Sequence, residues 1–140
     1  MGKKIIMAKI ESKITKSEMS DVKLYDFVTD FNNFENLIPA DKVKGWKSDG
    51  ESCSFTIDGI GSAGLRIIEK EPNKLVKITS EGGSPVNFFM WIQLKQVTED
   101  DTRIKITIDP QVNKMMMQMV KKPLKEFVDM LAERMSTLSL

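Results

Sequence analysis

The sequence predicts an α+β fold, with an antiparallel sheet of seven strands, two short helices after the first strand, and a long C-terminal helix. Three observations predict it. Polar and apolar residues alternate near the N-terminus, the same period of two continues from Val43 to Ile108 with only short turns, and a helical period runs from Asn113 to Leu138. Because no helical segment separates the later strands, a parallel sheet with crossover helices is disfavoured.

The first strand is predicted over Ile6–Ile14, where alternate residues fall on one buried side: Ile6, Ala8, Ile10, Ser12 and Ile14. Ser20 followed by Asp21 is typical of a helix start with an acid in its first turn. The helical pattern that follows is interrupted at Asn32-Asn33, and a shorter apolar turn ends at Pro39. We therefore expect two short helices in tandem.

Six more strands follow, joined by turn residues that fit hairpins. Their predicted ranges are Val43–Ser48, Cys53–Asp58, Ser62–Glu71, Lys74–Ser80, Val86–Thr98 and Thr102–Ile108. Two of them, Ser62–Glu71 and Val86–Thr98, exceed the usual strand length, which predicts a strongly curved sheet.

The C-terminal helix carries one apolar stripe, formed by Met116, Val120, Leu124, Phe127, Val128, Leu131, Met135 and Leu138. Pro123 lies inside the stripe and predicts a bend, or alternatively the start of a second helix. Six of the ten methionines lie between Met115 and Met135, and four of them within five residues cannot share one face. Methionine adapts to irregular space, so this segment is either a compliant cavity wall or a plain core helix.

Composition limits the chemistry. The 140 residues include 21 basic and 20 acidic residues, no histidine and one cysteine, and their length suits one domain over residues 1–140. Without histidine the usual general base and the commonest zinc ligand are missing, so we expect no metal and no cofactor. A net charge of +1 predicts no nucleic acid partner. No apolar run approaches a membrane span and no targeting signal is recognised, so we expect no stable membrane insertion and a cytoplasmic location.

The segment Gly59–Gly64 matches the letters of a dinucleotide-binding motif. That motif requires a following helix within a βαβ unit, whereas here Pro72 follows after eight residues rich in β-branched side chains. We therefore interpret these glycines as easing a hairpin bend, with a flexible lip at a cavity mouth as the alternative.

Candidate catalytic groups are few. Cys53 has no histidine to activate it and is predicted to be a small buried side chain. Asp30 lies at the helix break, where a capping role is favoured over catalysis. Arg66 and Arg103 are expected to face solvent, although either could bind a ligand carboxylate. Tyr25 is the only tyrosine.

The strand Val86–Thr98 has two apolar faces. Phe88, Met90, Ile92 and Leu94 share the face predicted to meet the long helix. Phe89 and Trp91 share the opposite face, where they predict a self-association patch and a possible homodimer, unless a loop covers them.

The element order resembles the START/Bet v 1-like superfamily (SRPBCC, polyketide cyclase-like). The resemblance covers nearly the full chain and is carried by the opening strand, the segments Tyr25–Asn33 and Leu37–Pro39, the hairpin Gly59–Leu65 and the closing helix. It implies a helix-grip fold, in which a curved sheet surrounds the C-terminal helix and a hydrophobic cavity lies between them. Ligands of that superfamily include lipids, sterols, hormones, polyketides and quinones, and some members are enzymes.

We therefore expect the binding or transport of a small hydrophobic molecule, such as a lipid, a polyketide or a quinone. The residues predicted to line the cavity are Phe31, Trp46, Phe55, Ile57, Leu65, Ile67, Phe88, Met90, Ile92, Ile106, Met116, Val120 and Leu124. The alternatives are a cyclase- or dehydrase-type enzyme with a cavity acid or base, and a cochaperone-like module that binds another protein.

Overall fold

A computed structural model describes residues 9–38, 41, 43–57, 61–81 and 87–138 of the chain. Within these ranges it has eight strands and three helices. In chain order they are β1 (Ile10–Glu11), β2 (Thr15–Ser17), α1 (Asp21–Val28), α2 (Phe31–Phe34), β3 (Val43–Ser48), β4 (Ser52–Ile57), β5 (Gly61–Glu71), β6 (Leu75–Glu81), β7 (Phe88–Thr98), β8 (Asp101–Pro110) and α3 (Lys114–Ser136).

The strands form one antiparallel sheet in the order β1-β8-β7-β6-β5-β4-β3, and β2 also pairs with β8. Each later strand is hydrogen-bonded to the next along the chain, so β3 to β8 form a meander. The α+β helix-grip fold predicted from the sequence is confirmed. Its sheet has eight strands in the described ranges rather than seven, because the first predicted strand is divided in two.

Ser12 causes that division. Its hydroxyl accepts a hydrogen bond from the Ile106 amide at 2.9 Å, while its own amide donates to the Ile106 carbonyl at 2.7 Å. Pairing then resumes at Thr15 opposite Ile104, with one residue more in the first strand than in β8. The extra residue reverses the alternation, so Ile14 is 63% exposed and its predicted inward position is wrong. The predicted start of this strand, residues 6–8, lies outside the described residues.

Two side chains begin the short helices. The Ser20 hydroxyl accepts from the Lys23 amide at the start of α1. The Asp30 carboxylate accepts from the Asn32 amide at 2.9 Å and begins α2. The break therefore lies at Thr29 and Asp30, and the predicted break at Asn32-Asn33 is wrong because Asp30 caps the helix that contains both asparagines. The capping role of Asp30 is confirmed.

Gly64 in β5 allows its two neighbouring strands to approach closely. A Cβ atom at this position would lie 2.8 Å from the Glu81 carbonyl oxygen and 3.3 Å from that of Cys53. Residues 61–64 pair antiparallel with β4, and Gly64 pairs with Glu81 of β6 as well. A dinucleotide-binding turn requires a helix after the glycines, so the strand pairing of Gly61 and Gly64 agrees with the hairpin interpretation, while Gly59 lies outside the described residues.

Helix α3 is continuous through Pro123, so a break into two helices at that residue is wrong. The Asn113 side chain caps its start by accepting from the Met116 amide at 2.8 Å. The helix packs mainly against β8, β1 and β2. Its completely buried residues meet the inner face of the sheet in one core, which includes Val128, Leu131, Ala132, Met135, Ile104, Ile106 and Ile108.

Candidate ligand-binding site

Burial differs between the two halves of α3. The C-terminal half contributes the buried residues Val128, Leu131, Ala132 and Met135, whereas Met117 is the buried residue of the N-terminal half. The predicted stripe residues Met116, Val120 and Leu124 are only half-buried. The helix therefore closes the core at its C-terminal end and leaves an apolar stripe partly open at its N-terminal end.

A bulge at Gly45 turns Trp46 toward the inner face of the sheet. Gly45 has φ +66°, and the pairing between β3 and β4 shifts between Lys44 and Lys47. The glycine suits this left-handed conformation, which side chains with a Cβ disfavour. Trp46 stacks on Phe55 with ring centroids 5.1 Å apart, and its indole N–H donates to the Phe31 carbonyl at 3.2 Å.

The inner face continues from β4 into β5. Phe55 pairs with Ala63, and Cys53 pairs with Leu65, so these four residues point to the same side. Leu65 is buried while Phe55 is half-buried. At the far side of the sheet Phe88 is also half-buried, and its amide donates to the Ser80 hydroxyl at 2.9 Å.

The thirteen residues predicted to line a cavity divide by burial. The buried ones are core residues: Phe31, Leu65, Ile67, Met90, Ile92 and Ile106. The half-buried ones are Trp46, Phe55, Phe88, Met116, Val120 and Leu124, and we call this set the open apolar wall. Ile57 pairs with Gly61 in the strand ladder, but its side chain lies outside what the structure describes.

The predicted set of lining residues did not include Met117, Val112, Met130 or the stripe residue Phe127. Met117 is buried, and the other three are half-buried against the core. Steps of four residues advance about 400° around a helix, so the stripe through Met116, Val120 and Leu124 rotates by about 40° per step and starts about 100° from the buried Met117. Tertiary packing against β8 decides that choice.

The buried polar residues of the described ranges carry hydroxyl groups and no charge. They are Ser12, Ser17, Thr102 and Thr107. Cys53 is buried as predicted, and burial raises the pKa of its thiol to about 12. A neutral thiol is a poor nucleophile and a poor metal ligand. Among the described residues no cluster of three potential His, Cys, Asp or Glu metal ligands occurs.

Both arginines considered as carboxylate anchors are paired at the surface. Arg66 forms an ion pair with Glu81, and Arg103 forms one with Asp101 through its Nε at 2.7 Å and an Nη at 2.9 Å. These contacts raise the pKa of each guanidinium through hydrogen bonding to the neighbouring carboxylate. The predicted exposure of Arg66 and Arg103 is confirmed.

On the convex face, Phe89 and Trp91 lie with ring centroids 6.4 Å apart, and both are half-buried. The Lys77 ammonium lies 4.8 Å from the Phe89 ring and 5.4 Å from the Trp91 ring, while Lys9 lies 4.8 Å from Trp91. Two lysines therefore cover the aromatic pair by cation–π contact. A second copy of the chain could pack on these rings only after displacing or neutralising those lysines.

A polar groove of about 680 Å³ lies at the C-terminal end of α3. Its lining residues are Lys16, Glu18, Met19, Ser20, Lys23, Glu99, Asp100, Ser136, Thr137 and Leu138. None of them belongs to the open apolar wall. Charges of both signs and hydroxyl groups make this groove unsuited to an apolar molecule.

No family model matches the chain, and no curated protein sequence matches it significantly. Its architecture nevertheless defines a class, because solved structures with the START/Bet v 1-like fold superpose on nearly the whole chain. One is norcoclaurine synthase from Thalictrum flavum, at a TM-score of 0.75 and 14% identity, covering 92% of this chain and 91% of that one. The chain has the START/Bet v 1-like fold.

Two further structures show the same fold. A START superfamily protein from Mycobacterium smegmatis has a TM-score of 0.69 at 13% identity, covering 94% of this chain and 99% of that one. The Aha1 dimer from Colwellia psychrerythraea has a TM-score of 0.64 at 18% identity, covering 94% and 98%. None of the helices in the described ranges combines the length and apolarity that a membrane crossing requires.

Proposed function

We propose that this protein binds a small hydrophobic molecule between its sheet and the N-terminal half of α3. One observation carries the proposal: apolar side chains on the inner side of the fold are only half-buried. On the sheet they are Trp46, Phe55 and Phe88, and on α3 they are Met116, Val120 and Leu124. The other end of the same core is completely closed by Val128, Leu131 and Met135.

The free energy of binding comes from covering this open apolar wall. Removing apolar surface from water contributes about 25 cal/mol per Å². A ligand that buries roughly 300 Å² of apolar surface therefore gains about 7 kcal/mol before the entropy cost of association. The covered apolar area, rather than polar contacts, therefore supplies the driving force for binding.

The chemistry of the wall favours a ligand with a neutral, apolar body. The described wall residues are aromatic, aliphatic or methionine side chains, and their one polar side-chain group, the Trp46 indole N–H, is already donated to the Phe31 carbonyl. A buried charge without a partner would be costly there. Lipid-like molecules, polyketides and quinones fit this requirement, and either binding or transport of such a molecule is compatible with it.

The test is native mass spectrometry of the purified protein together with titration of the fluorescent fatty acid cis-parinaric acid. Val120→Asp places a charge in the wall and is expected to weaken binding at least about tenfold. Val97→Asp, at a residue that is 54% exposed on β7, is the matched control and should bind as the parent chain does. No co-purified ligand and no parinarate binding by the parent chain would contradict the proposal.

The other functions expected from the sequence remain predictions. An enzyme of the cyclase or dehydrase type requires an acid or base at the wall. Its candidate is the phenol of Tyr25, the only tyrosine, whose side chain is half-buried against the core. A protein-interaction module or a homodimer would use Phe89 and Trp91. Sedimentation of the parent chain and of Trp91→Ser tests the dimer, because only a dimer through this face would dissociate in the variant.

A further inference from the structure

We propose that the ligand of the open apolar wall is a planar, uncharged ring system with a carbonyl group at its edge, bound as the third member of the Trp46–Phe55 stack. The surface that receives it consists of Phe55, Ala63, Leu65 and Ser80, and we call this set the ring slot. The inference rests on the proposed function and narrows its ligand from any apolar molecule to one shape and one polar group. Acyl chains are the competing class of ligand.

The Trp46–Phe55 stack runs across the strands. The two rings come from the neighbouring strands β3 and β4, and their centroids lie 5.1 Å apart with planes 14° from parallel. This separation is close to the spacing of about 4.8 Å between adjacent strands of a sheet. A ring above the next strand, β5, would therefore lie one further stacking distance away, on the face of Phe55 opposite Trp46.

The side chain of β5 at that position is small. Ala63 is directly opposite Phe55 in the strand ladder, and both residues are half-buried. A methyl group is too short to cover the phenyl ring beside it. Helix α3 packs mainly on β8, β1 and β2, which form the other side of the sheet. A flat group can therefore stand over Ala63 and against Phe55.

Ser80 gives the ring slot a hydrogen-bond donor. It lies on β6 opposite Leu65, two residues along the ladder from Ala63, and it is half-buried. Its hydroxyl oxygen accepts from the Phe88 amide at 2.9 Å, while its proton has only a long contact of 3.5 Å to the side-chain oxygen of Asn87. A hydroxyl rotates to suit its partner, so this proton is available to a better acceptor, such as a carbonyl oxygen.

The distance between the stacking position and the hydroxyl suits fused rings. Ala63 and Ser80 are diagonal neighbours on adjacent antiparallel strands, a relationship that places side chains about 7–8 Å apart. Two or three fused rings with an oxygen at one edge span this separation. The buried Leu65 lies between the two residues and supplies an apolar floor.

The ring slot itself carries no charge. Polar residues of β4 and β5 alternate to the outer face, where Ser54 and Ser62 are exposed and Arg66 forms an ion pair with Glu81. A carboxylate inside the slot would therefore lack a cationic partner. A neutral ligand can enter completely, whereas a fatty acid has to keep its head group outside, in water.

Rigidity also favours a ring over a chain. The hydrogen bond from the Trp46 indole to the Phe31 carbonyl, at 3.2 Å, fixes the stacking surface before a ligand binds. A fused ring system has no internal rotations to lose, whereas an acyl chain gives up rotational freedom when it is held flat. Aromatic stacking adds to the affinity that the covered area provides.

The test is isothermal titration calorimetry with uncharged probes of equal carbon number. They are 9-fluorenone, fluorene, which lacks the carbonyl, and 2-tridecanone, which replaces the rings by a flexible chain. We expect the parent chain to bind 9-fluorenone at least as tightly as 2-tridecanone, although the chain has the larger apolar surface. Parinarate titration on the same sample reports the proposed function separately.

Variants of Ala63 test the position of the ring. Ala63→Leu fills the space beside Phe55 and should weaken 9-fluorenone binding at least about tenfold, while 2-tridecanone, which can bend along the rest of the wall, changes less than about threefold. Ser62→Leu, at the exposed neighbour on the outer face, is the matched control and should change neither affinity. Phe55→Leu is the second variant, and it should also weaken 9-fluorenone more than 2-tridecanone.

Variants of Ser80 test the polar contact. Ser80→Ala should weaken 9-fluorenone about fivefold and leave fluorene unchanged, because only the ketone accepts from the hydroxyl. Ser80→Thr keeps a hydroxyl and should retain the affinity of the parent chain for 9-fluorenone. Equal losses for 9-fluorenone and fluorene in Ser80→Ala would overturn the assignment of Ser80 as the donor.

The two proposals fail in different ways. If parinarate and 2-tridecanone bind but 9-fluorenone does not, or if Ala63→Leu and Phe55→Leu weaken ring and chain equally, the ring slot is overturned while the proposed function stands. If the parent chain binds neither parinarate nor any of the other probes, the proposed function fails and the ring slot with it.

Discussion

The indole of Trp46 lies stacked on the ring of Phe55, with the two ring planes 14° from parallel and their centroids 5.1 Å apart. The contact links β3, at the edge of the sheet, to β4, and the hydrogen bond from the indole to the Phe31 carbonyl links both strands to α2. Three elements therefore fix the orientation of one aromatic surface. A surface held this rigidly loses little side-chain entropy when a ligand covers it.

Phe55→Ala should weaken the binding of cis-parinaric acid about tenfold, because the variant removes apolar area from the open apolar wall and frees Trp46 to move. Phe89→Ala is the control, since it truncates a half-buried phenylalanine on the convex face. Titration of both variants checks the prediction. Equal losses of affinity in the two variants would argue against a wall at Phe55.

Gly64→Ala should destabilise the fold by about 2 kcal/mol, because its methyl group would lie within 3 Å of the Glu81 carbonyl oxygen, which belongs to the backbone and cannot move aside easily. Gly45→Ala is the comparison, because it meets nothing within 4 Å and suffers only from its positive φ. That strain costs about 1 kcal/mol. Urea unfolding with unchanged m-values measures both, and a larger loss at Gly45 would contradict the packing at Gly64.

The Cys53 thiol should make the fold less stable in alkali. Burial raises its pKa from the ordinary value of 9.0 to about 12, so the unfolded chain ionises at a lower pH than the folded one. The free energy of unfolding is therefore unaffected by this thiol below pH 9 and decreases as the pH rises above 9. The decrease reaches about 2 kcal/mol at 1.5 pH units above that value. Cys53→Ala removes this dependence while retaining that of the lysines, so parallel curves for the two chains would refute the shift.

Asp30→Ala should lower stability by about 1 kcal/mol, because the Asn32 amide loses its acceptor at the start of α2. Asp30→Asn keeps a side-chain oxygen at the same position and should remain within a few tenths of a kcal/mol of the parent chain. Thermal or urea unfolding distinguishes them. If the asparagine variant is as unstable as the alanine variant, the negative charge matters rather than the cap.

Much of the fold follows from local pattern. The period of two predicted β3 to β8 within two residues at each strand end that falls in the described ranges, with β3 matched at both ends, and the apolar stripe predicted α3 through Pro123. The exceptions are decided by single polar groups. The alternation of Ile10, Ser12 and Ile14 does not show that the Ser12 hydroxyl bonds to the Ile106 amide, and this bond is what moves Ile14 outward.

The candidate site is harder to predict from the sequence than the fold is. Pattern reasoning identified Trp46, Phe55 and Phe88 as inward residues, and the Gly45 bulge explains why Trp46 turns inward. Pattern does not reveal how deeply an inward residue is buried. That depends on where α3 stops covering the sheet, since Ile106 and Val120 belong to equally regular stripes yet only Ile106 is sealed in the core.

The most direct test of the proposed site uses the two tryptophans as reporters, one at the wall and one on the convex face. Trp91→Phe leaves Trp46 alone, and Trp46→Phe leaves Trp91 alone. Dibromostearic acid quenches indole fluorescence only on contact, and stearic acid controls for other changes, with parinarate displacement showing that each variant is loaded. We predict saturable quenching of Trp46 and none of Trp91. Quenching of Trp91 instead, or of both equally, would contradict a binding site between the sheet and α3.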